Sequence, residues 1–290
     1  MSLGSGSKNE VMTAVSLHEL LSRHHLLCLA WEAACVAAAF LHDERPDRLA
    51  IDTKSSPTDA VTEMDRGAEA RLIDILLGAR PADGLLGEEG GERPGTSGVR
   101  WVVDPLDGTV NYLYRMPSWA VSVAAEVEGD SEIGVVLAPA LAEAYVGIRG
   151  GGAWSIEGDE AWPLAVRECR SLANALVSTG FGYAAERRVE QAAVVQGLAP
   201  LVRDFRRGGA AVVDLCWLAR GRLDGHYESG LNRWDIAAGG LIAAEAGAIV
   251  AGLRSADPNE GTFVAAVPGI NDEFRAALKR ARADTPLVLD

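Results

Sequence analysis

The sequence predicts a layered α/β protein, on three observations. Two stretches near the N-terminus, 16–41 and 61–78, repeat apolar residues at helical spacing. Three strand-like segments follow, 119–127, 132–138 and 143–148, joined by short polar turns as in an antiparallel meander. Beyond them, strands near 175–179, 224–227 and 262–266 alternate with helices near 187–202, 209–221 and 234–247, the rhythm of a second α/β layer.

Composition bounds the possibilities. The chain has 290 residues, enough for one large or two small domains, and 48% of them are apolar and 23% charged, so disorder and coiled coil are excluded as overall descriptions. Forty-one acids against 27 bases leave a net charge of −14. Such a chain is a poor general binder of nucleic acid or anionic membrane, and neither partner is expected. If its substrate is an anion, something other than the net field must attract it, and a metal ion is the obvious candidate.

Taken in order, residues 1–15 open with Met-Ser-Leu-Gly-Ser-Gly-Ser and read as a flexible or appended tail. Ser16 is the expected N-cap of a helix running to 41, which holds His24 and His25. Neighbours on a helix point about 100° apart, so these two cannot share a metal. Cys28, Cys35, Cys169 and Cys216 form no C-x-x-C pair and are expected to be buried free thiols in a reducing, cytoplasmic setting. The opening carries no signal-peptide pattern, and no apolar run reaches the ~20 residues of a membrane span. A Lys-Ser-Ser-Pro-Thr-Asp turn at 54–59 precedes the helix from Val61 to Gly78. Asp83–Glu89 reads as a short strand ending in acids, and Arg100–Val103 as a buried strand that also runs into acids. The Gly150–Gly152 triplet divides an N-terminal α+β half, 16–149, from a C-terminal α/β half, 150–290.

The informative segment is Trp101–Tyr114, WVVDPLDGTVNYLY. An apolar strand delivers Asp104 at its end, Pro105 stiffens the turn, Asp107 projects nearby, Gly108 gives the backbone room, and Thr109 is the expected N-cap of a helix from about 110. Carboxylates bind hard divalent cations, and helix N–H groups bind phosphate oxygens. A calcium loop of EF-hand type fails, because with Gly108 at its sixth position Val103 and Pro105 would fall where ligands belong.

W-V-V-D-P-L-D-G-T-x-N-Y resembles the metal-binding signature of the inositol monophosphatase family, lithium-sensitive Mg²⁺-dependent phosphatases. Gly87-Glu88-Glu89, the stretch from Ser56 to Asp65, Gly221 to Glu228, and Trp234-Asp235 through Glu245-Ala246-Gly247 are similar to further family motifs in the same order. The resemblance implies an αβαβα sandwich of the inositol monophosphatase and fructose-1,6-bisphosphatase type, and a homodimer. It implies two or three Mg²⁺ ions per site, with Glu88, Asp104, Asp107 and Asp235 as side-chain ligands and Leu106 as a carbonyl ligand. Thr109 would orient the attacking water, with Asp65 accepting from its hydroxyl and Glu88 joining them in catalysis. Lys54 would stand near the metal–water network. Asp107, Gly108, Thr109, Ala211, Glu228 and Asp235 would contact substrate.

The implied activity is hydrolysis of myo-inositol 1-phosphate, a small phosphorylated polyol, by metal-activated water. Alternatives are histidinol phosphate, fructose 1,6-bisphosphate or 3′-phosphoadenosine 5′-phosphate as substrate, or a regulatory binding protein on the same fold. Gly208-Gly209-Ala210-Ala211 departs from the family pattern, which usually has Gly followed by Ser or Thr, and Ile236 is bulkier than the residue often found after W-D. Both changes bear on the leaving group, not on a metal ligand. Among the remaining residues, Trp101, Trp119 and Trp217 are expected in packing, and Trp234 as a buttress of Asp235. Arg206 and Arg207 are expected on a solvated turn or an interface, ahead of phosphate binding, His226 on a strand surface, and Glu89 is an open candidate for contact near the metal.

Overall fold

The computed structural model describes residues 13–53 and 60–283. In chain order the first half runs β1 (Val15–Ser16), α1 (Leu17–Ser22), α2 (His25–Asp43), β2 (Ile51–Thr53), β3 (Ala60–Thr62), α3 (Glu63–Ala79), β4 (Gly84–Gly87), β5 (Gly91–Arg93), β6 (Val99–Asp107), α4 (Thr109–Leu113), β7 (Ala120–Val127), β8 (Asp130–Ala138), β9 (Glu143–Ile148), β10 (Gly152–Glu157) and β11 (Glu160–Pro163). The rest is β12 (Leu176–Thr179), α5 (Ala185–Leu198), β13 (Asp204–Arg206), α6 (Ala211–Ala219), β14 (Gly225–Ser229), α7 (Arg233–Glu245), β15 (Ile249–Gly252), β16 (Thr262–Ala266) and α8 (Asn271–Arg280).

Two sheets and three helical layers alternate. A nine-stranded sheet has the order β1-β11-β10-β9-β8-β7-β6-β4-β5, and a five-stranded sheet the order β13-β12-β14-β16-β15. On one face of the large sheet, Leu27, Ala34 and Leu41 of α2 and Leu72 and Leu76 of α3 pack against Val121, Val123, Ile133 and Val135. Successive strand residues point to opposite faces, and on the other face Ala124 and Val136 meet Val212 and Cys216 of α6 and Ala238 and Ile242 of α7. The small sheet covers α6 and α7 from beyond. Its Tyr227 turns outward to stack edge-on with Phe274 of α8, 6.0 Å between ring centres, while its neighbours His226 and Glu228 turn inward. The arrangement is the expected αβαβα sandwich. The meander β7-β8-β9 is antiparallel throughout, and the β9–β10 hairpin carries the large sheet past the glycine triplet to Pro163.

Three local expectations are corrected. The helix expected over 16–41 is two helices. Ser16 caps α1 as predicted, but His24 is extended at φ −149° and caps α2, its Nδ1 accepting from Leu26 N at 3.3 Å. His24 therefore lies between the helices, and its ring stacks on that of His25 with centroids 5.1 Å apart. Cys28 is exposed and Cys35 half-buried, whereas Cys169 and Cys216 are buried as expected. Of the tail residues, 1–12 lie outside the described residues, and Val15 pairs with Ala161 in the large sheet. Helix α2 is long and apolar enough by composition to cross a bilayer, but its apolar face is part of the core under the large sheet.

Candidate active site

Two parallel strands bring the first acids together. β4 pairs with β6 so that Gly87 lies beside Val103, and the next residues, Glu88 and Asp104, leave the ladder side by side. Pro105 cannot donate to the ladder, and the pairing of β6 with β7 shifts between Asp104 and Asp107. The Asp104 carboxylate substitutes for a strand partner there, its Oδ1 accepting from Leu106 N at 2.9 Å. Gly108 follows in the left-handed region at φ 91°, where a Cβ would stand 2.9 Å from the Ser118 carbonyl oxygen. The turn accordingly demands glycine.

Thr109 is the first residue of α4, not its N-cap as expected, and Gly108 occupies the cap position. The physical reason is that the Thr109 hydroxyl is used elsewhere. It donates to Asp65 Oδ1 at 2.9 Å, with the Leu106 carbonyl oxygen 3.1 Å away. Asp65 Oδ2 accepts from Thr62 N at 2.8 Å and Thr62 Oγ1 at 2.6 Å, forming the capping box of α3. One buried carboxylate thus both starts a helix and fixes the direction of the Thr109 hydroxyl.

The opposite wall comes from the second half. Asp107 Oδ2 accepts from Val212 N of α6 at 2.7 Å, which ties the end of β6 to helix α6 across the site. Asp235 is the third residue of α7, and its Oδ2 accepts from Asn232 N at 2.6 Å in a second capping box. Between the walls lies a cavity of 530 Å³. Glu88, Asp104, Leu106, Asp107, Gly108 and Thr109 line it from the first half, and Ala211, Glu228 and Asp235 from the second. Of the residues singled out from sequence, Asp65 stands behind Thr109, and Lys54 lies outside the described residues.

Burial pushes the Asp104 carboxyl well above the usual range, and the charges of Glu88, Asp107 and Asp235 push it further. Asp107 is raised well too, by burial and then by Asp235, against the pull of its bond from Val212. Asp65 is raised by burial, with the Thr62 and Thr109 hydrogen bonds opposing. Glu228 is pushed up to about 8 by burial, Asp235 and Asp214, while Arg207 and Arg187 pull it back. Acids that raise one another in this way share a shortage of positive charge. Their donors are all hard oxygen, which fits Mg²⁺ and not a soft metal. Among the described residues no three such groups already converge on one coordination point; the acids line the cavity from both walls.

Several residues stand elsewhere than expected. His226 is fully buried, not on a strand surface, because β14 lies between β12 and β16 and is covered on both faces. Its Nδ1 is 2.9 Å from Ser178 Oγ, and burial pushes its pKa down to about 3. Arg206 pairs with Asp204 on the surface, as a solvated turn would, but Arg207 lines the cavity. Arg233 points away from the cavity to Glu126 and Ser131. Asn111 donates to Ser118 O at 2.6 Å and to Gly208 O at 2.8 Å, so it braces the segment after Gly108 against the second half. Asp214 and Arg187 also line the cavity and were not foreseen. Asp214 sits on an otherwise apolar helix (AVVDLCWLA), and that isolated acid was the available signal. Arg187 belongs to a charged surface helix and offered none.

Comparison with known proteins identifies the family. The chain matches the model of the inositol monophosphatase family over residues 22–283. It is 41% identical over 280 residues to the inositol-1-monophosphatase of Mycobacterium leprae, covering 91% of this chain and 96% of that one. It is 37% identical over 271 residues to the Nus factor SuhB of Escherichia coli, covering 89% and 100%. The solved structure of Mycobacterium tuberculosis SuhB matches with a TM-score of 0.77 at 40% identity, covering 89% and 97%. With the same motifs set around one acidic cavity, the chain belongs to the inositol monophosphatase family of phosphatases.

Proposed function

We propose that the chain is a Mg²⁺-dependent phosphate monoester hydrolase acting on small phosphorylated polyols, with myo-inositol 1-phosphate as its preferred substrate. The observation that carries this reading is the Thr109–Asp65 hydrogen bond of 2.9 Å at the edge of a cavity ringed by Glu88, Asp104, Asp107 and Asp235. Mg²⁺, held by those four carboxylates and the Leu106 carbonyl, would neutralise the phosphate dianion, acidify the attacking water and stabilise the leaving alkoxide. Because Asp65 takes the Thr109 proton in a hydrogen bond, the threonine oxygen keeps its lone pairs free to accept from a water and aim it at phosphorus. The backbone N–H groups of Gly108 and Thr109 would hold phosphate oxygens, and Glu228 would accept from a ring hydroxyl. Ala211 and Asp235 complete the substrate wall.

Attack by water directly on phosphorus places one ¹⁸O from labelled water in phosphate after a single turnover. Trapping a phosphoaspartate would refute it. Substrate choice is tested by phosphate release from inositol 1-phosphate, histidinol phosphate, fructose 1,6-bisphosphate and 3′-phosphoadenosine 5′-phosphate. Preference for one of the last three replaces inositol phosphate without changing the reaction class. Millimolar Li⁺ should slow turnover.

A second reading, a binding protein on this fold, is favoured by one observation: the Escherichia coli relative is named a Nus factor. Asp104→Asn separates the two readings. If the biological effect survives loss of phosphate release, the binding reading replaces the enzymatic one.

A further inference from the structure

We infer that Glu69 is a positioning residue for Glu88, acting through the backbone on either side of it; the inference rests on the metal-dependent reading above. Helix α3 carries Asp65 and Glu69 four residues apart, hence on one face. Both are buried, at 0% and 3% exposure. Asp65 serves Thr109, whereas Glu69 serves the chain as it leaves β4. Glu69 Oε2 accepts from Glu89 N at 2.9 Å, and its Oε1 accepts from Gly90 N at 2.5 Å. Two consecutive N–H groups held this way fix the peptide planes just after Glu88, and the β4–β6 ladder fixes the chain just before it at Gly87. Glu88 is therefore clamped from both sides.

The flanking glycines belong to the same device. A Cβ on Gly87 would lie 2.7 Å from Glu69 Oε2, and one on Gly90 2.6 Å from Oε1. Gly87-Glu88-Glu89-Gly90 is thus a loop wrapped closely around a buried carboxylate, which accounts for the paired glycines where a metal ligand alone would not require them. A carboxylate suits the position because it offers two acceptor oxygens and no donor. A glutamine would aim an NH₂ at one of the two backbone N–H groups. Placement of Glu88 matters for Mg²⁺, which demands near-octahedral geometry. Groups that orient a metal ligand typically change affinity by about 10–100-fold when removed.

The test titrates Mg²⁺ alone into the metal-free full chain by calorimetry, for the wild type, Glu69→Gln and Glu273→Gln. Glu273 does the same chemistry away from the cavity, its Oε2 accepting from Leu172 N at 3.1 Å. Glu69→Gln should weaken Mg²⁺ binding by about 10–100-fold, raise the Mg²⁺ needed for half-maximal phosphate release in parallel, and regain turnover in excess Mg²⁺. Glu273→Gln should lower the melting temperature and leave Mg²⁺ affinity alone. Glu69→Gln that melts earlier but binds Mg²⁺ like the wild type would overturn the inference. Should that variant fail to fold, Gly90→Ala crowds the same carboxylate from the loop side, and the same two outcomes decide. A wild type that takes up no Mg²⁺ would defeat the proposed function itself, whereas intact wild-type uptake with an unaffected Glu69→Gln would defeat this inference alone.

Discussion

The two ends of β6 treat buried acids in opposite ways. At its start, Glu126 is 1% exposed and lies across the ladder from Arg100. It accepts from Arg100 Nε at 2.8 Å and from Arg233. Nearby Asp83, also 1% exposed, accepts from Arg80 at 2.5 Å, Ser97 at 2.6 Å and Trp101 at 3.0 Å. At the far end, Asp104 is as deeply buried, but it accepts from one backbone N–H and faces the charges of three further acids. Arginines pair directly with the buried carboxylates at the start of β6, whereas among the described residues the charges that act most on Asp104 are those of other acids. On the proposed reading the acids at the other end await a cation supplied from outside, and that contrast would separate a structural carboxylate from a functional one.

The largest effect is expected from Asp104→Asn. Removing a ligand of the proposed metal site should lower Mg²⁺-dependent phosphate release by roughly 10³–10⁵-fold, since a catalytic metal supplies several kcal/mol. The same change removes one of the mutually repelling acids, so the metal-free variant should melt above the metal-free wild type, and added Mg²⁺ should stabilise it less. A phosphate-release assay and paired melting curves check both halves. An earlier melt without metal would mean that Asp104 is a structural acid like Glu126. Next in size is Thr109→Val, which keeps the shape and deletes the hydroxyl. It should cost about 10²–10⁴ in kcat, with Thr109→Ser restoring most of it. Equal loss in the serine variant would assign the effect to packing.

How much of this was legible follows from where each signal resides. Asp104, Asp107 and Gly108 announce themselves because a strand, a proline and a glycine leave few conformations for the turn. Glu88 and Asp235 are visible through motifs that keep their spacing. Within a single helix, Thr62 and Asp65 spell a capping box, and Glu69 one turn further on could have been added. His226 could not be placed, since a strand covered on both faces loses the polar alternation that marks an outward residue. The break at His24 was hidden because both flanking segments are helical and apolar. Asp214 and Arg187 reach the cavity from separate helices, and only the packing of α5 and α6 around the small sheet brings them there.

At the paired end of β6, Glu126→Gln should leave phosphate release nearly intact while lowering stability. Breaking a buried ion pair costs about 3–5 kcal/mol. The loss here should be nearer 2–3 kcal/mol (roughly, because water can still reach Arg100). Urea midpoints for this variant and Asp104→Asn, both without metal, should move in opposite directions. Movement in the same direction would remove the distinction between the two ends.

The smallest effect is a pH dependence beneath the cavity. His226 has a folded pKa pushed down to about 3 by burial, against about 6.5 for a free imidazole. Asp214 Oδ2 and Glu228 Oε2 each lie 3.8 Å from its ring nitrogens and would favour the charged ring if they were ionised. Burial nonetheless prevails, because those acids are themselves pushed up to about 7 and about 8 and are neutral where the imidazole would charge. A depressed folded pKa gives stability that is present above pH 6.5 and is lost as pH falls towards 3. Asp214 and Glu228 act in the opposite sense: their raised pKa values give stability present near pH 4 and lost as pH rises through 7 and 8. The wild type alone therefore shows a mixture. The difference between wild type and His226→Gln isolates the imidazole and should shrink below pH 6.5 by at most about 1.4 kcal/mol per unit. Urea unfolding of both metal-free chains between pH 7 and 5 measures it. A difference that stays flat would mean that His226 is charged in the folded chain, with Asp214 or Glu228 ionised beside it.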